Sequence, residues 1–250
     1  MAADPPYLQQ AVLKRDKVPS FDEYPFCLPA VRFLGELPLH PKVTFIIGEN
    51  GTGKSTLLEA IAVAWGFNAE GGTKNFSFAT RASHSPLYEH LRLIRSYRRP
   101  KDGFFLRAES FFNVATNIEE LDAEPSPAPP IINSYGGRSL HQQSHGESFF
   151  TLFNERFGGK GLYILDEPEA ALSPMRQMAM LARMHDLVRD DSQFIIATHS
   201  PIVMAYPDAR RFFLSEKGIA EVDYEATEHY QLSRDFLVSP RSFLEHLMND

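Results

Sequence analysis

Residues 43–55 read Val-Thr-Phe-Ile-Ile-Gly-Glu-Asn-Gly-Thr-Gly-Lys-Ser, and this stretch decides the fold. Segment 43–47 is a short β-branched and aromatic run ended by a glycine, which marks a buried strand. Gly48, Glu49, Asn50, Gly51, Thr52, Gly53, Lys54 and Ser55 then satisfy the spacing G-x-x-x-x-G-K-[ST], with a strand before and a helix after. Glycines let the backbone wrap tightly, so successive N–H groups point into one concavity. The helix that follows aims its positive end at the same place. A loop of this kind cradles the phosphates of a nucleotide. Lys54 is placed to reach the β/γ-phosphates, and the Ser55 hydroxyl, with Thr56 beside it, to meet Mg²⁺. In the helix, Leu57, Leu58, Ile61, Ala62 and Trp65 share one face, and Gly66 closes the end.

Two further apolar runs are read as buried strands, 162–165 and 194–197, with a helix over 174–188 between them. Continuous apolar strands alternating with helices are the pattern of a parallel sheet covered on both faces. The first run ends in Asp166 and Glu167. Beside a phosphate loop, Asp166 suits a Mg²⁺ site, and Glu167 is placed to orient or deprotonate an attacking water. The second run ends in Thr198-His199-Ser200-Pro201, where Ser200 caps a helix with Pro201 in its first position. That holds His199 at the sheet edge where parallel-sheet ligands bind. Upstream, Ser144 and Glu147 form a capping box before the aromatic helix 149–157. With Gly146 between them, the same helix start is also an anion site.

Composition is that of an ordinary globular chain. The 250 residues are 43% hydrophobic and 23% charged, enough for one large domain. A net charge of −7 argues against nucleic-acid binding by overall field and leaves room for a local basic patch. One cysteine, Cys27, excludes an internal disulfide and a cysteine-based zinc cluster. The N-terminal stretch has no apolar core of the secretory kind, and no run approaches a membrane span. The expectation is a cytoplasmic protein without a membrane segment. Residues 1–41 read as largely irregular with a short strand or two, 67–100 as partly helical, 104–106 as a strand, and 122–131 as a Pro-rich loop.

In order along the chain, these motifs resemble the ATPase fold of ABC-type proteins. Residues 48–55 match Walker A and Gln143-Ser144-His145-Gly146-Glu147 the signature motif. Residues 162–167 match Walker B, Glu169-Ala170-Ala171-Leu172-Ser173 the D-loop, and His199 the switch histidine. Within that class the chain is most similar to small stand-alone bacterial AAA/ABC ATPases related to SMC-like and RecF-like proteins. The resemblance implies an α/β P-loop NTPase fold: a mostly parallel central sheet flanked by helices, a small helical lobe and an N-terminal β-rich edge. It implies one domain over 1–250, with a core over 40–66 and 158–240 and a signature lobe over 67–157. It further implies ATP and Mg²⁺ as cofactors, Glu167 as general base and His199 as a γ-phosphate contact. Two chains would sandwich two ATP molecules, with Ser144, Gly146 and Glu147 acting across the interface of an ATP-dependent homodimer. The homodimer would couple hydrolysis to a nucleic-acid or protein partner. The sequence departs from the pattern at His145, where Gly is common, and at Ser173, where Asp is common. Glu109 stands where a glutamine is usual and is a candidate for Mg²⁺ or water coordination.

Two other readings belong to different classes. One is the ATPase subunit of a membrane transporter, which usually carries a fuller signature. The other is a nucleotide-dependent binding module with little turnover. The run 91–101 carries Arg92, Arg95, Arg98, Arg99 and Lys101; read as a helix, it puts Arg92, Arg95 and Arg99 on one face. Such a run is most often a solvated helix face, next a protein contact, and less often a track for a phosphate backbone. Met175, Met178, Met180 and Met184 are read as core packing.

Overall fold

The computed structural model describes residues 5–73, 85–108, 111–123, 129–142 and 145–249. In chain order the strands are β1 (Leu8–Leu13), β2 (Glu36–Pro38), β3 (Val43–Gly48), β4 (Leu91–Arg95), β5 (Asp102–Arg107), β6 (Gly161–Asp166), β7 (Gln193–Ala197), β8 (Ala209–Ser215) and β9 (Gly218–Glu221). The helices are α1 (Pro29–Arg32), α2 (Lys54–Trp65), α3 (Phe111–Ala123), α4 (His145–Thr151), α5 (Pro174–Arg189), α6 (Glu228–Val238) and α7 (Pro240–Asn249).

Six strands form the central sheet in the order β5-β6-β7-β3-β8-β9. All neighbours are parallel except the β8–β9 hairpin at the edge. β3, β6 and β7 are buried along their whole length because both faces are covered. Alternate residues feed two cores. Ile46, Leu162 and Ile164 face the cluster around α2, which includes Leu57, Ile61 and Trp65. Val43, Phe45, Tyr163 and Leu165 face the cluster built by Ile118, Phe149, Phe153, Met180 and Met184. This is an α/β P-loop NTPase architecture with a mostly parallel sheet between helical layers.

β1, β2 and β4 make a separate three-stranded antiparallel sheet, the β-rich N-terminal edge. Here the structure corrects the helical reading of 91–101. Residues 86–90 form a 3₁₀ turn, and 91–95 pair with β1 as a strand. Successive strand residues point to opposite faces, so Arg92 and Arg95 do not share one. The Arg95 guanidinium lies 4.4 Å over the Trp65 ring and donates to Ala64 O. Arg98 pairs with Asp191. The segment 67–157, expected as a helical lobe, therefore contributes β4 and β5 to the two sheets as well as α3 and α4.

Three smaller differences have local causes. The aromatic helix starts at His145 and winds as a π-helical turn over Leu152–Arg156. The segment after His199 is a turn followed by a 3₁₀ helix, Val203–Ala205; Ser200 Oγ still accepts from the N–H groups of Ile202 and Val203. Met180 and Met184 are core residues, whereas Met175 and Met178 are 72% and 49% exposed on the other side of α5.

Candidate phosphate-binding site

Each functional side chain sits at the C-terminal end of a parallel strand or just beyond it. β3 runs into the loop 48–53. Gly48 passes so close to β8 that a Cβ there would lie 2.4 Å from Leu214 O. Gly51 and Gly53 are left-handed, at φ +80° and +93°, which a side chain would strain. The loop is braced from behind: Ala30 N donates to Thr52 O at 2.9 Å, and a Cβ on Gly53 would meet Leu28 Cβ at 3.0 Å.

Lys54 is the first residue of α2 and almost fully buried. Its Nζ donates to Gly48 O at 2.8 Å and Glu49 O at 2.7 Å. Burial pulls its pKa down, and Glu167, Asp166, Glu169 and Glu49 oppose that shift. One residue on, Ser55 Oγ donates to Asp166 Oδ1 at 3.0 Å. A hydroxyl and a carboxylate meeting at the mouth of a phosphate loop are the hard oxygen donors that Mg²⁺ takes. Among the described residues no group of three or more His, Cys, Asp or Glu could hold a metal by itself.

Glu167 follows Asp166 with φ +51°, a left-handed conformation rare outside glycine. Its N–H donates to Ala197 O at 2.9 Å, which pins the turn to β7. Its Oε1 lies 3.4 Å from His199 Nε2. Glu169, in the following turn, reaches across to β7: its Oε1 accepts from His199 N at 2.7 Å and Ser200 N at 3.1 Å. Burial pushes the Glu169 carboxyl up, against the pull of those N–H groups. Burial lowers the His199 pKa; the Lys54 charge adds to that shift and Glu167 opposes it. Lys54, Ser55, Asp166, Glu167 and His199 thus converge on one edge of the sheet, although three separate segments supply them.

The signature stretch is seen in part. Gln143, Ser144 and Glu109 lie outside the described residues. Glu147 is in the first turn of α4, with Oε1 3.7 Å from Arg176 Nη2. Gly146 is packed against the chain's own 169–173 turn: a Cβ there would meet Ala171 O at 2.6 Å and Arg176 Nη1 at 2.7 Å. Ser173 caps α5, accepting from Arg176 N.

Two residues at this edge escape a reading of the sequence. Arg107, the last residue of β5, is in register with Asp166. Its Nη1 is 2.5 Å from Glu59 Oε2 and its Nε 3.9 Å from Asp166 Oδ2. No motif spacing names it; only strand pairing does. Tyr24 is 66% exposed and lines a cavity of about 190 Å³ together with Leu28, Gly53, Lys54, Ser55 and Glu167. Two other aromatics upstream of the loop stand apart from this cavity. Phe26 is buried against His90, and Phe33 lies on the surface. A larger cavity of about 380 Å³, with Arg95, Arg99 and Lys101 in its wall, opens near Asp102, at the opposite end of β5 from Asp166.

Residues 32–110 match the AAA domain family. Across 172 residues the chain is 26% identical to the ABC transporter G family member STR2 of Medicago truncatula, covering 64% of this chain and 24% of that protein. The chain therefore spans about a quarter of the length of this relative. Among solved structures, an ATP-binding cassette of an ABC transporter in its ADP conformation is similar with a TM-score of 0.51 and 18% identity, over 98% of this chain and 99% of the other. A metal-chelate type ABC transporter in an inward-facing conformation gives 0.50 and 14%, over 91% and 88%. The fold is that of the ABC-type P-loop ATPases. No helix among the described residues is long and apolar enough to cross a membrane.

Proposed function

We propose that the protein binds Mg-ATP at the 48–56 loop and hydrolyses it, closing as a homodimer around two nucleotides. The observation that carries this reading is the convergence of Lys54, Ser55, Asp166, Glu167 and His199 at one sheet edge. The loop N–H groups and the α2 N-terminus hold the phosphates. Lys54 exchanges its bonds to Gly48 O and Glu49 O for phosphate oxygens. Ser55 and Asp166 would hold Mg²⁺, which would supply neutralisation of phosphate charge. Glu167 accepts the proton of the attacking water, and His199, held through its backbone by Glu169, orients beside it. Tyr24 covers the base.

Each chain has one phosphate loop and one 143–147 stretch, so a complete site of the ABC type needs two chains. Ser144, Gly146 and Glu147 would serve the partner's nucleotide, and Glu109 the metal or water. The dimer would act on a nucleic-acid or protein partner in the cytoplasm. Likeness to a transporter protein supports a second reading, an ATPase subunit docked on a separate membrane protein. Co-purification with membranes would separate the two.

The test is light-scattering chromatography of Glu167→Gln with and without Mg-ATP. A mass that doubles only with ATP, and no longer does so once Ser144→Arg is added, is the expected result. A nucleotide-bound monomer would overturn the shared site.

A further inference from the structure

His199 touches a second histidine that no motif contains. His229, in the first turn of α6, places Nε2 3.4 Å from His199 Nδ1, with the ring centroids 5.6 Å apart. This first turn is tied to the His199 loop. Thr227, almost wholly buried, caps α6 by accepting from Tyr230 N, and its hydroxyl donates to Tyr224 O at 2.7 Å. The Tyr224 hydroxyl in turn donates to Pro201 O at 2.9 Å, two residues beyond His199. Beyond that turn the helix lies at the surface, with Leu237 75% exposed. The part of α6 that is anchored is therefore the part that carries His229.

Proton placement follows from what faces each nitrogen. His199 Nε2 lies 3.4 Å from the Glu167 carboxylate without a formed hydrogen bond; an N–H there is attracted to that acceptor and a lone pair is repelled, so this nitrogen carries the proton. Its Nδ1 is then a lone pair that needs a donor, and His229 Nε2–H is the group in reach. His229 Nδ1 is left unprotonated; it is buried and has no partner among the described residues. The reverse arrangement would oppose two lone pairs at Glu167 and bury an N–H at His229 Nδ1 with nothing to accept it. Burial lowers the pKa of both histidines, so both rings are neutral near pH 7 and each has one proton to place.

We propose that His229 is a positioning residue for His199: its Nε2–H donates to His199 Nδ1 and fixes the His199 proton on Nε2, toward Glu167 and the reacting phosphate. The role assigned to His229 is exerted through its contact with His199. Orientation of a working imidazole from behind is a general device, here served by a second imidazole rather than a carboxylate.

The inference rests on the ATPase reading, so its test includes a measurement that does not. Steady-state ATPase is compared for the wild type, His229→Ala and His229→Gln. In His229→Ala, kcat falls roughly tenfold to a hundredfold with KM for Mg-ATP unchanged. His229→Gln, whose side-chain amide supplies an N–H near the position of Nε2, recovers most of the loss. In parallel, ¹⁵N spectra of histidine-labelled, nucleotide-free protein are recorded, with His199 assigned by its loss in His199→Gln. The expected wild-type signal is a proton on His199 Nε2 with Nδ1 accepting a bond, and Nδ1 shifts to an unbonded value in His229→Ala. Wild-type kcat in His229→Ala, a kcat loss that Gln does not rescue, or a proton on His199 Nδ1 would each overturn the proposal. If the wild type turns over no faster than Glu167→Gln, the ATPase reading fails, and the nitrogen shifts alone decide the role of His229.

Discussion

Ser55 Oγ donates to Asp166 Oδ1 across 3.0 Å, although 111 residues separate them in the chain. The contact joins the start of α2 to the end of β6, and it brings together the two oxygen ligands that a Mg²⁺ ion on a phosphate chain would need. Asp166→Asn keeps the size and hydrogen-bonding reach of the side chain and removes its charge. The expected result is a protein with an unchanged far-UV CD spectrum whose Mg-dependent ATP turnover drops roughly a hundredfold or more, because several kcal/mol of charge stabilisation is lost. ATPase assays across a Mg²⁺ titration check this. Turnover that survives at saturating Mg²⁺ would remove Asp166 from the metal site.

Glu167 holds a left-handed backbone at φ +51° directly beside that aspartate. A non-glycine residue there stores on the order of 1–3 kcal/mol. Glycine relieves the strain but loses about 0.5–1 kcal/mol through its freer unfolded chain. Glu167→Gly is therefore expected to melt no lower than the wild type while losing turnover by about 10²- to 10⁴-fold, the usual contribution of a general base. Glu167→Gln keeps the strain and should lose turnover with an unchanged melting temperature. Calorimetry with ATPase assays on both variants tests the pair. A marked drop in Tm for Glu167→Gly would mean that the carboxylate, through His199, contributes more to the fold than the strain costs.

The phosphate loop and the strand ends at Asp166 and His199 are legible in the sequence for one physical reason. β3, β6 and β7 are buried on both faces, so they appear as unbroken apolar runs, and the polar residues that end them stand out. The same logic fails at 91–95. Leu91, Leu93 and Arg95 alternate with Arg92 and Ile94, and five residues are too few to separate a period of 2 from 3.6. Pairing with β1, eighty residues upstream, settles the strand, and no local pattern reports that. α6 buries no side chain fully and so offers no apolar stripe to read. Tyr24, Arg107 and His229 reach the site through tertiary packing alone. The aromatic helix at 149–157 was legible as apolar, but its π turn was not.

Gly146 illustrates how a motif position can hold two constraints at once. The helix start that would serve a partner's nucleotide is also pressed against the chain's own backbone at Ala171 and against Arg176. Gly146→Ala forces a methyl to within 2.6 Å of a carbonyl oxygen, so α4 or the 169–173 turn must shift. The expected penalty is about 1–3 kcal/mol, which for a chain of this size lowers Tm by several degrees. Nucleotide-free thermal melts check it. An unchanged Tm would show that the turn yields freely, and any loss of dimerisation in Gly146→Ala would then report on the interface itself.

Three partly buried histidines, His40, His199 and His229, set the acid side of the stability curve. Burial lowers each pKa below the ordinary 6.5. For His40 the geometry gives the reason: Nδ1 lies 3.2 Å from Lys42 N and 3.3 Å from Val43 N, an acceptor position that protonation would destroy. A group whose native pKa is depressed in this way takes up its proton more readily when unfolded. Between the depressed native values and 6.5 the unfolded chain therefore binds more protons, and stability rises with pH. Glu169 acts in the opposite direction, since its raised native pKa favours the folded, protonated form above the ordinary 4.5. The prediction concerns the histidine window, which adjoins their ordinary 6.5. Urea unfolding of the nucleotide-free protein at a series of pH values should give a ΔG that climbs as pH rises towards 6.5 and then flattens. In His40→Gln the slope should be smaller, because an amide oxygen can accept the same N–H groups and has no proton to take up. A flat profile, or one that falls as pH rises towards 6.5, would show that the histidines titrate alike in both states and that their burial is relieved by local motion.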